Sequence, residues 1–335
     1  METIHIAMAI CDASGHYSKF PSTTMASLFE HTEAPIQIHI LHDGTISEEN
    51  QERFLQLAHH YGQGLQFHRV SLDGRLQDLP SLQSITVGTL FRTMIPDVLG
   101  DLSKVIYLDG DLIVNLDIQD LWQIDVSDYC LAGVLDVEDT REVVIKRHVY
   151  KQLGIDSKSY INAGVLLMNL DRMRQQSNLY QQALELLMAH PDLIYADQDV
   201  INKVYQSSLL LLPEIYNRQI NLLDYPVDDP VSLPDASIVH FSGILKPWNG
   251  VHAQMAQDYF SYMAKTPWMQ SLEDCIRIMS RIAPDYQKKM NLQRLLRNIP
   301  KGSGLAISVL CLAKGLLSDG AFKALWQGAR RMVNR

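Results

Sequence analysis

Cysteine is scarce in this chain. The 335 residues hold four, Cys11, Cys130, Cys275 and Cys311, and no two of them form a CxxC pair. That spacing argues against a structural zinc site or a disulfide framework and suits a reducing compartment. Long apolar runs are also missing: none reaches the roughly 18 residues of a standard membrane span. The opening METIHIAMAI has neither the basic residues nor the cleavage site of a secretory leader, so the expected setting is cytoplasmic. No internal repeat or low-complexity tract stands out. Net positive charge is absent as well; the formal charge is −9, which speaks against general nucleic-acid binding. What remains is an ordinary folded composition, 47% apolar and 20% charged, in a chain long enough to bury its own core.

The acidity is uneven. Ser271 to Arg335 contains 12 Lys+Arg against 4 Asp+Glu, a net +8, so residues 1–270 carry −17. An acidic body with a basic tail implies a separate partner for the tail. Phe322, Leu325, Trp326, Ala329 and Val333 recur at helical spacing among Lys323, Arg330 and Arg331. That pattern predicts a basic amphipathic helix lying on an anionic membrane surface, although a plain packing helix has the same periodicity.

Strand and helix patterns alternate through the body. Ile4–Ile10, Ile36–Leu41, Gln66–Val70 and Lys104–Leu108 read as strands. Helices are expected over Pro21–His31, after Ser47 with Glu48 and Glu49, and over Thr89–Leu99 despite Pro96. Such alternation predicts an α/β fold with a mostly parallel sheet covered on both faces. Ligands of such sheets bind beyond the carboxyl ends of the strands, here after Ile10, Leu41 and Leu108. Past Trp268 the alternation stops. The expected division is a catalytic domain over residues 1–268 and a helical basic region over 269–335.

The strand KVIYL runs into Asp109-Gly110-Asp111. In extended backbone, residues i and i+2 point the same way, and two carboxylates so placed repel unless a cation lies between them. Hard divalent ions with open coordination positions for phosphate, Mg²⁺ or Mn²⁺, suit such a pair. Asp and Gly also form plain solvated turns. Two enzyme classes use the feature: haloacid-dehalogenase-type phosphatases and nucleotide-sugar glycosyltransferases. In the phosphatases a Thr or Val normally stands where this chain has Ile113. A non-catalytic sugar-nucleotide-binding module is a third possibility.

Downstream come SYINAGVLLMNLDRM (Ser159–Met173), YADQDVIN (Tyr195–Asn202) and IVHFSGILKPWN (Ile238–Asn249). With the N-terminal strand and YLDGDLIV, this ordered set resembles glycosyltransferase family 8 over about residues 1–265. The resemblance implies the nucleotide-diphospho-sugar transferase fold, Rossmann-like, with a helical basic extension. It also implies Mn²⁺ (or Mg²⁺) dependence, UDP-galactose or UDP-glucose as donor, and retention of anomeric configuration. The acceptor would be an oligosaccharide or glycolipid of lipopolysaccharide or a related polysaccharide. By the same resemblance Asp109, Asp111 and His240 are the metal ligands, with Gly110 between the first two. Lys246 and the backbone at Gly243 would bind the diphosphate. Tyr17 would stack on uracil, and Asp12 would contact base or ribose. Arg92 would lie near the donor sugar and phosphate, and Asn162, Ala163 and Gly164 would hold the hexose. Asp197 would bind the hexose hydroxyls, Gln198 would lie opposite the leaving group, and Asp136 would meet the acceptor. An amide is a poor nucleophile, so Gln198 favours front-face attack over a covalent intermediate.

Overall fold

The computed structural model describes residues 2–76, 87–137, 149–191, 193, 195–225, 230–243, 246–249 and 254–269. The predicted amphipathic tail lies outside these residues. Seven strands form the main sheet in the order β3-β2-β1-β4-β7-β6-β8. They are β1 (Ile4–Ile10), β2 (Ile36–His42), β3 (Gly64–Arg69), β4 (Lys104–Leu108), β6 (Leu131–Leu135), β7 (Ile161–Asn169) and β8 (Leu209–Leu211). Strands β3, β2, β1 and β4 run parallel, as expected, whereas β7 is antiparallel to both β4 and β6. A second sheet places β10 (Ser237–His240) between β5 (Leu112–Asn115) and β9 (Arg218–Gln219).

Strand alternation builds a core on each face. Ile106 and Leu108 of β4 join Ile4, Ile6, Met8 and Ile10 beneath α1 (Lys19–His31) and α2 (Glu48–His60). Val105 and Tyr107 face the other way, with Leu166 and Met168, toward α3 (Leu170–Gln176), α4 (Leu179–Ala189) and α5 (Ala196–Tyr205). Ser47 caps α2 through a side-chain bond to the Asn50 N–H, the start its sequence predicts. Helix α1 is buried along most of its length although rich in Ser and Thr. Its hydroxyls have partners on and just beyond β5: Thr24 bonds the Leu112 carbonyl, and Ser27 and Thr32 accept from the N–H groups of Val114 and Ile118. Thr89–Leu99 is not one α-helix. It is 3₁₀ over Val87–Met94 and a single α turn over Ile95–Val98. Pro96 has no N–H to donate to the Arg92 carbonyl, so a continuous α ladder cannot form there. Among the described residues no helix is long and apolar enough to cross a membrane.

Three histidines cross the first three strands. His5 Nδ1 meets His39 Nε2 at 3.0 Å, and His39 Nδ1 meets His68 Nε2 at 3.0 Å. Burial, reinforced by the neighbouring His68 and His5, pushes His39 down to about 4. Burial also lowers His5 against the opposing pull of Glu2, and lowers His68 with help from His42. Below about pH 6.5 the unfolded chain takes up protons at His39 that the folded chain refuses, so stability present at neutral pH declines as pH falls toward 4. His39→Gln, which keeps hydrogen-bonding capacity without titrating, should flatten the fall in Tm between pH 7 and 5 by about 2–4 °C. Equal slopes in melts of both proteins would show that the row does not govern acid stability.

Candidate active site

The site forms where β4, β5, β7 and β10 meet. The Asp109 N–H donates to the Gly164 carbonyl at 2.9 Å, so β4 stays in register with β7 into the Asp-Gly-Asp turn. Beyond the turn, β5 pairs antiparallel with β10 so that His240 faces Leu112, and the Phe241 N–H extends the ladder to the Asp111 carbonyl at 3.1 Å. This register brings His240 to Asp111 across a large sequence separation. One ligand atom each from Asp109, Asp111 and His240 lies within 4.8 Å of the others. His240 Nε2 is 3.3 Å from Asp111 Oδ1, and Lys246 Nζ is 2.6 Å from Asp111 Oδ2 while also donating to the Phe241 carbonyl. Burial alone would raise Asp111, but Lys246 and His240 outweigh it and hold the carboxyl well below the usual range.

Arg92 holds the opposite wall. Its Nη2 pairs with Asp109 Oδ1 at 2.9 Å and its Nε with Asp197 Oδ2 at 3.0 Å, while Nη1 donates to the Ala163 carbonyl at 2.6 Å. The guanidinium lies 4.6 Å from the Tyr107 ring centre, and the Tyr107 hydroxyl donates to Asp109 Oδ1 at 2.6 Å. Burial, together with the Asp109 charge, pushes Asp197 up to about 6 against the pull of Arg92. Asp197 follows Ala196, whose φ of 30° is a strained left-handed value for a residue with a side chain.

Beside this wall runs an amide and carboxylate network. Gln198 Oε1 accepts from the Ala163 N–H at 2.9 Å, and its Nε2 reaches Asp136 Oδ2 and the Tyr160 hydroxyl, each at 3.3 Å. Asn162 Nδ2 donates to Asp136 Oδ1 at 3.3 Å. The Tyr160 hydroxyl donates to Asp199 at 2.5 Å, and burial pushes Asp199 up to about 7 in spite of that bond.

Tyr17 arrives from the loop after β1, its oxygen over Gly110; burial and the Asp111 and Asp109 carboxylates raise its phenol well above the ordinary range. Asp12 is engaged within the loop itself. Its carboxylate accepts from the Tyr17 and Ser18 N–H groups (2.8 and 2.9 Å), the Ser18 hydroxyl (2.6 Å), and the Ser14 hydroxyl and Asn50 amide (both 3.2 Å). It is buried and organises the loop that presents Tyr17.

The family model for glycosyl transferase family 8 matches residues 5–251. The chain belongs to glycosyltransferase family 8. General stress protein A of Bacillus subtilis (strain 168) is 26% identical over 80% of this chain and 95% of its own length. Lipopolysaccharide 1,2-glucosyltransferase of Escherichia coli (strain K12) is 27% identical over 65% of each chain. Among solved structures, the galactosyltransferase LgtC in complex with donor and acceptor sugar analogues superposes with a TM-score of 0.65 at 23% identity, covering 79% of this chain and 96% of that one. The likeness supports the α/β nucleotide-sugar transferase fold. Family membership sets aside the phosphatase alternative.

All the site residues expected of a family 8 enzyme fall in this region, but two glycines serve neighbours that the sequence did not reveal. A Cβ on Gly164 would lie 2.3 Å from His240 Cε1, and one on Gly243 would lie 2.4 Å from Asn221 Oδ1. Each glycine leaves room for a protein side chain. Tyr107, Tyr160, Asp199, Asn202 and Asn217 were not foreseen. Tyr107 could have been, since strand alternation puts it on the side of Asp109; Tyr160, Asp199 and Asn202 stand inside the quoted motifs, and Asn217 has no local signal. Gly164→Ala must displace His240, an overpacking that costs roughly 1–3 kcal/mol. The expected result is a folded protein with Mn²⁺ affinity at least about tenfold weaker, read by titration calorimetry. Unchanged affinity would mean that His240 yields without consequence.

Proposed function

We propose that this family 8 glycosyltransferase is a metal-assisted, retaining enzyme that moves galactose or glucose from a UDP-sugar to an oligosaccharide or glycolipid acceptor. The name of the Escherichia coli relative supports a place in lipopolysaccharide or related cell-envelope glycan synthesis. The observation that carries the reading is the convergence of Asp109, Asp111 and His240, with Lys246 beside them. Two carboxylates and an imidazole fit a hard or borderline divalent ion, Mn²⁺ or Mg²⁺. When bound, the ion would take up charge developing on the departing diphosphate. Lys246 presents a second positive charge at the same end of the site. Tyr17 offers an aromatic face for the uracil. Arg92 acts through Asp109 and Asp197, orienting one carboxylate toward the metal and the other toward the hexose.

The network favours front-face transfer. Gln198 is an amide whose oxygen already accepts a backbone N–H, and an amide is a poor nucleophile compared with a carboxylate. In this reading the acceptor oxygen bonds to the hexose C1 on the face from which the diphosphate leaves. The C1–O bond to phosphate breaks, and the acceptor proton passes to the departing phosphate oxygen. Asp136, tied to Asn162 and Gln198, lies on the acceptor side.

A panel of UDP-sugars with Mn²⁺, scored by thermal shift and by slow UDP release, tests this. UDP-galactose or UDP-glucose should stabilise the protein and release UDP. Asp111→Ala and His240→Ala should each lose at least about 100-fold in UDP release, some 2.7 kcal/mol, while remaining folded. Turnover in EDTA equal to that with Mn²⁺ would sink the metal role; donor binding without any UDP release would leave a binding module.

Residues 1–268 form the catalytic domain in this reading, and the basic region 269–335 attaches it to the inner leaflet beside a glycolipid acceptor. The support is the +8 charge beyond residue 270 against −17 before it. Each Lys or Arg at an anionic surface contributes about 1 kcal/mol, screened beyond about 8–10 Å by salt. Full-length protein should sediment with anionic liposomes at low salt and less at high salt, and a chain ending at Gln270 should stay in the supernatant. Equal pelleting of the two would assign the tail to packing.

A further inference from the structure

Asn217 ends the 3₁₀ turn Glu214–Tyr216 and is wholly buried between two site residues, Asn162 and His240. The side-chain orientations along this row follow from one backbone group. The Gly164 N–H, which can only donate, meets Asn162 Oδ1 at 3.0 Å, and this identifies the Asn162 oxygen. Asn217 meets that same oxygen at 2.9 Å and so presents its NH₂ group to it. The Asn217 oxygen is then turned toward His240 Nδ1, 3.0 Å away, and must receive a hydrogen there. His240 therefore carries a proton on Nδ1. Its Nε2 faces Asp111 Oδ1 at 3.3 Å. With Nε2 unprotonated, that nitrogen and the carboxylate oxygen are two acceptors, and a cation between them relieves the repulsion; a proton on Nε2 is the other occupant of the same gap, which a divalent ion displaces.

We infer that Asn217 is a positioning residue that sets the tautomer of His240, holding the proton on Nδ1 so that Nε2 is open to a divalent cation shared with Asp109 and Asp111. Gly164 has two parts in this: its N–H starts the chain of orientations, and its missing Cβ leaves room for the imidazole. The row also ties Asn162, the expected hexose contact, to the expected metal ligand through a single buried amide. The inference rests on the reading of Asp109, Asp111 and His240 as a metal site.

The test is Mn²⁺ affinity, from the paramagnetic resonance signal of free Mn²⁺, for the full-length wild type and for Asp111→Ala, Asn217→Ala, Asn217→Asp and Asn217→Leu. Beside it, the ring ¹⁵N shifts of His240 are recorded in the wild type and assigned by their loss in His240→Ala. Removing an outer-shell partner of a ligating histidine typically costs 10–100-fold in metal affinity, the loss expected for Asn217→Ala. Asn217→Asp keeps an acceptor for Nδ1–H and should stay within about threefold of wild type. Asn217→Leu, of similar size but without an acceptor, should be as weak as Asn217→Ala, whereas a role in packing alone predicts that Leu rescues as well as Asp. The ¹⁵N shifts should show Nδ1 protonated. An Asn217→Ala protein that binds Mn²⁺ as tightly as wild type, an Asn217→Asp protein as weak as Asn217→Ala, or a wild-type His240 protonated at Nε2 alone overturns the inference. If the wild type binds Mn²⁺ no better than Asp111→Ala, the metal reading itself falls and takes the inference with it.

Discussion

A single buried guanidinium is the constraint on which the site depends. Arg92 touches three separate stretches of chain: Asp109 at the end of β4, Ala163 in β7, and Asp197 at the start of α5. Burial alone would favour its loss of charge, but Asp109 and Asp197 outweigh that and keep it fully ionised. The converse also holds. Without Arg92, two carboxylates would face each other in a buried space with Asp111 close by. Breaking such a pair by removing one partner costs roughly 3–5 kcal/mol, because it leaves uncompensated charge. The acidic cluster is thus divided: Asp109 and Asp197 share Arg92 on one side, and Asp111 pairs with Lys246 on the other. Concentrated negative charge is tolerated here because Arg92 and Lys246 are fixed in place beside it.

Much of this was legible in the sequence because it is local. KVIYL followed by Asp-Gly-Asp is a strand and a turn wherever it occurs, and Ser47 before Glu48 and Glu49 is a helix start on chemistry alone. The family motifs named residues that do meet in space. Strand direction was less legible: β7 is buried along nearly its whole length, and a fully buried strand reads the same whether it runs parallel or antiparallel. Nor could the pairing of β10 with β5 be seen. It is a register between distant segments, yet it alone delivers His240 to Asp111. Asn217 had no signal, since a lone Asn in PEIYNRQ is an ordinary turn residue until its buried partners are known.

Asp12 and the two glycines each have a protein partner beside the role that the resemblance implies. A carboxylate just after a strand end reads as a ligand contact, but here it satisfies the N–H groups of Tyr17 and Ser18 at the entry to α1. Negative charge near a helix start is favourable there. Gly164 and Gly243 do serve close approach, but of His240 and Asn221. In each case the residue singled out by the sequence also sets the position of a neighbouring protein group.

The loop bearing Tyr17 is held from an unexpected direction. Trp268, the last large aromatic before the basic region, donates its indole N–H to Asn50 Oδ1 at 3.1 Å. The Asn50 amide nitrogen is thereby turned toward Asp12 Oδ2 at 3.2 Å and the Gly15 carbonyl at 3.3 Å. Asp12 in turn holds the Tyr17 N–H. Because the indole can only donate, it fixes the flip of the Asn50 amide, just as the Gly164 N–H fixes that of Asn162. The same device therefore operates twice: one unambiguous donor orients a buried amide, and the amide orients a group at the site. Trp268 packs edge-on against Phe54 of α2, with ring centres 5.0 Å apart, so the end of the catalytic body is anchored in the core that supports the loop. Trp268 thus lies one hydrogen-bonded row away from the aromatic ring beside the Asp-Gly-Asp turn.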